Sequence, residues 1–193
     1  SETTPHVSRP KPEPITPPVE TARVYREVPR DAWMPRPEAP PAGAVPHCGP
    51  WVRDLFESIQ VKVDANGCNI VGDAGNESSI AIDPTNPNNI VIGWRQFDSV
   101  QSDFRQGGWA YSHDGGASWT FPGVLETGVF RSDPVLDSDA NGVFYYYSLF
   151  GDSFTYDLFR SFDGGVSWPL KTFAYGGDKG WMVVDKSDGP GRG

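Results

Sequence analysis

Long apolar runs are absent from this chain. No stretch approaches the roughly 18 consecutive apolar residues that a membrane-spanning helix needs, so membrane insertion is not expected. The extended 3.6-residue periodicity of a long amphipathic helix is missing as well. Basic residues are scarce: 16 Lys and Arg stand against 25 Asp and Glu, giving a net charge of −9. Nucleic acids and anionic membranes demand a basic surface, so neither is expected as a partner. Catalytic signatures are wanting too, for no G-x-S-x-G, H-E-x-x-H or Gly-Lys-Ser/Thr phosphate loop occurs. His6, His47 and His113 sit in dissimilar contexts, which gives no histidine constellation.

Cysteine is nearly absent. Cys48 and Cys68 stand twenty residues apart, a spacing unsuited to a zinc site even with His47 nearby. In an oxidising compartment they are expected to pair, contributing about 3 kcal/mol by loop entropy. Two unpaired thiols in a reducing compartment are the alternative. No charged-then-apolar signal segment opens the chain, and Ser1 reads as a processed or trimmed N-terminus.

Glycine and proline are plentiful, with 22 and 19 residues, and aromatics make up 13%. This is the composition of a loop-rich β protein. Thirteen of the prolines fall in residues 1–50, beginning Arg9-Pro10-Lys11-Pro12-Glu13-Pro14. Such a segment excludes a helix or a central strand and predicts an extended arm. Trp33-Met34-Pro35-Arg36-Pro37 and Val24-Tyr25 offer apolar anchors by which the arm would strap onto a neighbouring sheet or another subunit. In residues 51–75, Ser58–Asp64 alternates at period two, turns at Ala65-Asn66-Gly67 and returns through Cys68–Val71. A β-hairpin is expected there.

The most informative feature is a repeat. Ser112-His-Asp114-Gly-Gly116-Ala-Ser-Trp119 recurs forty-nine positions later as Ser161-Phe-Asp163-Gly-Gly165-Val-Ser-Trp168, identical at six of eight positions. Asp-Gly-Gly is turn chemistry: the carboxylate accepts backbone N–H bonds and glycine takes positive φ at little cost. Each phrase therefore predicts a hairpin whose carboxylate is consumed by its own loop and whose Trp folds back as a plug. Asp83, Asp137 and Asp185 recur at a similar period before turns, so each unit reads as strand, Asp turn, strand, strand, box, strand. The tract Phe144-Tyr145-Tyr146-Tyr147 alternates across a strand and would send rings to both sheet faces.

The phrase S-x-D-x-G-x-x-W resembles the Asp box, or BNR repeat, of sialidase-like β-propellers. The resemblance implies an all-β propeller in an extracellular, cell-surface or periplasmic setting. A period near fifty suits a four-stranded blade. Residues 76–193 would supply about two and a half blades (76–130, 131–177 and an incomplete 178–193), against about four to eight in a closed ring. The chain is then expected to be a fragment of a longer protein, or else one completed by partners or self-assembly. The hairpin of residues 51–75 would be a latch strand pair.

Function divides into two classes. The first is a non-catalytic interaction or structural module with protein partners or other subunits. The second is an exo-acting, sialidase-like glycoside hydrolase taking a carbohydrate substrate. Sialidases clamp a carboxylate with an arginine triad whose first member lies in a Phe/Tyr-Arg-Ile-Pro motif. That motif is not present; Phe130-Arg131-Ser132-Asp133-Pro134 is the nearest string, and Arg95 lies in the expected blade without it. No catalytic residue is carried over. Asp73, Asp133 and Asp178 precede successive first strands and are candidates to line a central channel. Asp137-Ser-Asp139-Ala-Asn141-Gly142 matches the opening of a calcium loop, so Asp137, Asp139 and Asn141 are candidate calcium ligands. The loop lacks the bidentate Glu of an EF-hand, since Ser148 stands at the twelfth position. Asn76-Glu77-Ser78 is a glycosylation sequon that would matter in a eukaryotic secretory host.

Overall fold

The structure, a computed structural model, describes residues 31–37, 41–151 and 154–192. These residues form three antiparallel sheets and no helix. Strands β1 (Trp51–Arg53) and β2 (Phe56–Ser58) make a small hairpin. Strands β3 (Ala74–Ile82), β4 (Ile90–Phe97), β5 (Arg105–Ser112) and β6 (Thr120–Val124) form the first four-stranded sheet in sequential order. Strands β7 (Arg131–Ser138), β8 (Phe144–Phe150), β9 (Thr155–Ser161) and β10 (Leu170–Ala174) repeat that meander as the second.

The two sheets stack face to face because alternate residues of each carry apolar side chains toward the other. Ala81, Val91 and Trp109 of the first sheet bury themselves against Leu136, Phe144, Tyr146 and Phe159 of the second. Full burial of a side chain such as Phe144 contributes about 1.5–3 kcal/mol. Tyr146 pays no hydrogen-bond penalty, since its hydroxyl donates to the Gly108 carbonyl at 3.1 Å. The next residue, Tyr147, points to the opposite face and stacks on Tyr156 with ring centroids 4.2 Å apart. The aromatic tract thus feeds two separate cores, as its alternation predicts.

Strand pairing corrects the repeat register. Ile82 pairs with Ile90 and Ser138 with Phe144, so the first turn spans residues 83–89 and its counterpart only 139–143. The counterpart of Asp83 is therefore Asp139 and not Asp137. Both carboxylates cap their turns alike, accepting the N–H of Thr85 and of Asn141 at 2.8 Å. Asp185 does the same for Ser187 at 2.8 Å.

Two expected elements differ. The strand expected at Trp181–Val184 is not formed, because no ladder partner lies beside it among the described residues. The segment runs instead over the far face of the second sheet, where Gly180 N donates to the Tyr156 hydroxyl at 2.7 Å and Met182 packs on the second core. The alternation survives without the ladder, with Trp181 and Val183 exposed and Met182 and Val184 turned inward. In residues 51–75 the paired hairpin turns at Asp54-Leu55, earlier than expected. The turn near Gly67 exists, held by Asp64, whose carboxylate accepts the N–H groups of Asn66 and Cys68, and extends as a ladder only to the isolated bridge of Val63 with Asn69. This hairpin is a sheet of its own and joins neither larger sheet.

Cys48 and Cys68 form a disulfide within a second isolated bridge, as the sequence led one to expect. It ties the end of the arm to the loop that precedes the first sheet. Residues 31–37 lie along that sheet: Asp31 and Asp103 exchange backbone-to-carboxylate hydrogen bonds at 3.0 Å in both directions. Val24 and Tyr25 fall outside the described residues.

Candidate functional site

Both first strands carry a bulge at the same place. Register slips between Asn76 and Ser79 in β3, and between Ser132 and Val135 in β7. Glu77 (φ 50°) and Asp133 (φ 45°) take left-handed backbone there. Each stands six residues before its turn aspartate, Asp83 or Asp139. Six residues before Asp185 stands Lys179. Non-glycine residues hold such a conformation only where surrounding contacts over-determine it, and bulges re-aim side chains.

Here they aim into one chain of charges. Arg95, near the end of β4, makes an ion pair with Glu77 and donates from Nε to Asn76 Oδ1 at 3.0 Å. Its Nη1 reaches Asp133 Oδ1 at 4.0 Å, and Asp133 Oδ2 lies 3.7 Å from Lys179 Nζ. Ser132 Oγ donates to Asp133 Oδ1 at 2.7 Å and accepts from Arg105 Nε at 3.2 Å. The order Glu77, Arg95, Asp133, Lys179 thus alternates in sign across the two sheets and the segment that follows them. Burial pushes the pKa of both Arg95 and Arg105 down, and the Asp133 carboxylate opposes that shift. All these groups lie at the end of the sheets opposite the repeated boxes.

The three acids expected to line a channel have different surroundings. Asp73 is consumed elsewhere: its buried carboxylate accepts from Lys62 at 2.6 Å, Arg36 at 2.9 Å and Gln96 at 2.9 Å. It anchors the arm and the preceding loop to the first sheet. Asp133 belongs to the charged chain. Asp178 is exposed, one residue before the participating Lys179. Sequence reading missed Glu77, seen only as the middle of a sequon, and left Arg95 without a partner. The six-residue offset from the turn aspartates was the signal, hidden while Asp137 stood in the place of Asp139.

The candidate calcium ligands Asp137 and Asp139 are engaged within the chain itself. Asp139 Oδ1 accepts the N–H groups of Asn141 and Val143 at 2.8 and 3.0 Å, and Oδ2 accepts the Tyr145 hydroxyl at 3.2 Å. Asp137 Oδ1 lies 2.7 Å from the Lys186 ammonium, and Oδ2 accepts Val184 N at 2.8 Å. A lysine already pairs with this carboxylate and fastens the segment after β10 to the second sheet. Among the described residues no group of three or more His, Cys, Asp or Glu side chains is placed to hold a metal ion.

The boxes are self-contained turns. Asp114 Oδ1 accepts Ser112 Oγ at 2.7 Å and Ser118 N at 2.9 Å, and Ser112 Oγ accepts Gly116 N at 2.9 Å. Asp163 repeats the pattern with Ser161 at 2.8 Å and Ser167 N at 3.0 Å, and Gly165 N donates to Ser161 Oγ. Trp119 returns its indole N–H to the Gly116 carbonyl at 3.1 Å. Trp168 instead enters the inter-sheet core, edge-on to Trp109 and Tyr146. His113 of the first box reaches the Gly164 carbonyl of the second at 3.1 Å.

Comparison with protein-family models, with curated proteins and with solved structures finds no match to this chain.

Proposed function

We propose that the chain is part of an Asp-box β-propeller of the sialidase-like kind, acting outside the reducing cytosol as a binding module. Three features support the architecture: two consecutive four-stranded meanders, their face-to-face stacking, and a box at the same corner of each. In this reading the two sheets are blades, residues 178–192 begin a third, and the charged chain borders the central channel. The Cys48–Cys68 disulfide supports a non-reducing compartment, and a secreted or surface location follows from it in this reading. The arm, held by Arg36 and Asp31, would present the Pro-rich segment to a protein partner or another subunit.

The observation that carries the non-catalytic reading is the neutralised state of the channel acids. A glycosidase needs a carboxyl group able to hold and donate a proton, and most need a second carboxylate across a cleft, where sialidases use a tyrosine instead. Asp133 and Glu77 are instead engaged by Arg95 and Lys179. Every carboxyl group in the described residues whose pKa clearly departs from its ordinary value is shifted downward.

One arrangement favours a hydrolase as the second reading. Arg95 and Arg105 flank the same rim, and guanidinium forks suit a substrate carboxylate. Fluorogenic sialosides and neutral hexosides distinguish the two readings. The binding-module reading expects no turnover above a heat-inactivated control. Turnover that disappears in Arg95→Ala would establish the hydrolase instead.

A further inference from the structure

The charged rim lies on the β3 and β7 side of the sheets. At the opposite edge of the first sheet, β6 faces residues 33–36 and the loop 63–70 across a cleft of about 920 Å³. Three aromatic rings line it, Trp33, Trp119 and Phe121, together with Arg36, Asp64 and Asp98. The indole N–H of Trp119 is committed to Gly116, which leaves the carbon face of its ring as the surface offered to a ligand. Arg36 packs its guanidinium 6.0 Å from the Phe121 ring centroid, and its Nε has no hydrogen-bond partner.

The lining decides between ligand classes. An extended peptide would bind by adding a strand to the β6 edge. That edge is spoiled for pairing: Pro122 has no N–H, Gly123 sits at φ 129°, and the β5–β6 register slips between Trp109 and Tyr111. A wholly apolar ligand would strip water from the charged groups of Arg36, Asp64 and Asp98, whose bonds to Asp73, to Asn66 and Cys68, and to Gln106 leave further hydrogen-bonding capacity for a polar one. A sugar ring has one apolar face and a rim of hydroxyls that both donate and accept. Flat aromatic surfaces interleaved with carboxylates and a guanidinium match that chemistry.

We propose that this cleft binds a short oligosaccharide, its rings stacked on Trp33, Trp119 and Phe121 and its hydroxyls bonded to Asp64, Asp98 and Arg36. The site is distinct from the charged rim and does not depend on the sheets continuing into a ring. It is assembled from three chain segments, the arm, the disulfide-tied loop and β6, so it exists only when the arm is docked.

Cellotriose, maltotriose, triacetylchitotriose and sialyllactose, titrated into the full chain by calorimetry and tryptophan fluorescence, test the idea. At least one is expected to bind saturably and to shift the emission. Trp33→Ala, at a half-exposed position outside both cores, is expected to weaken that binding about tenfold or more without changing the far-ultraviolet circular dichroism. Trp119→Ala should act in the same direction. Failure of all four sugars to bind would overturn the proposal, as would binding indifferent to Trp33→Ala. So would binding of a synthetic Pro-rich peptide of residues 8–18 in place of every sugar. Hydrolysis of a bound sugar, abolished by Arg95→Ala, would overturn the non-catalytic reading and leave this site standing.

Discussion

Trp109 in β5 donates its indole N–H to the carbonyl oxygen of Gly165, 2.8 Å away in the second sheet's box. The box of one sheet is thereby a structural part of its neighbour's core. Trp109→Phe keeps an aromatic side chain but removes the indole N–H, leaving the Gly165 carbonyl unpaired in a buried place, which should cost at least about 1–3 kcal/mol. Chemical denaturation of the variant measures this directly.

The same docking makes equivalent glycines unequal. A Cβ on Gly165 would meet Val91 Cγ2 at 2.4 Å, whereas one on Gly116 would find nothing nearer than 3.6 Å. Both have positive φ, at 89° and 91°. Gly116→Ala should therefore cost only the backbone strain of about 1–2 kcal/mol. Gly165→Ala should add an overpacking cost of about 1–3 kcal/mol. Equal losses in the two variants would refute the inter-sheet role of the second box.

Asp73 is the anchor for two cations from outside the sheet. Asp73→Asn strands Lys62 and Arg36 beside a neutral group and should destabilise the fold by about 3 kcal/mol, the range for breaking a buried pair. Thermolysin should then cut residues 31–37 well before the sheets. Unchanged cleavage kinetics would show that the arm is held by other contacts.

Acid should loosen the boxes. The Asp114 carboxyl, ordinarily at 3.8, is held at about 2 by hydrogen bonds, from Ser118 first and then Ser112. Because the folded value is the lower one, its contribution is complete above the unfolded value and is lost as pH falls from about 4 toward 2. Burial pushes the Asp163 carboxyl up, yet its bonds from Ser167 and Ser161 hold it below the ordinary value, so its contribution is likewise lost in acid. Asp114→Asn should flatten the stability-versus-pH curve between pH 2 and 4 and leave its shape above pH 5 unaltered. Urea midpoints across that range provide the check.

Reduction of Cys48–Cys68 should cost about 3 kcal/mol of loop-closure entropy for the 20-residue separation. The effect should be local, since neither cysteine lies in the two sheet cores. Near-ultraviolet signals from Trp109 and Trp168 should persist after reduction while residues 41–70 become protease-sensitive. Collapse of both together would mean that the loop supports the sheets.

Much of this arrangement is legible in the residues. The boxes announce their turns because Ser-x-Asp-x-Gly satisfies its own hydrogen bonds locally, without help from distant chain. The meander order and the two-faced tyrosine tract follow from period-two patterning, and the cysteine pair from its isolation. What distance along the chain conceals is register. A turn two residues shorter moved the capping role from Asp137 to Asp139, and a period count could not detect it. The same shift hid Glu77 and Lys179, which belong together only once the bulges are aligned. Trp181–Val184 kept a strand's alternation yet formed none, since a ladder needs a second strand that local sequence does not supply.

Near-identical boxes carry a hazard: sheets built alike could stack in the wrong succession during folding. The bulge position answers it. Glu77 and Asp133 sit at equivalent bulges and both face Arg95, while Lys179 stands at the same offset from its turn aspartate with the opposite sign. Placing Lys179 where Glu77 stands would set two cations against one another at Arg95. The rim thus penalises one such misplacement electrostatically.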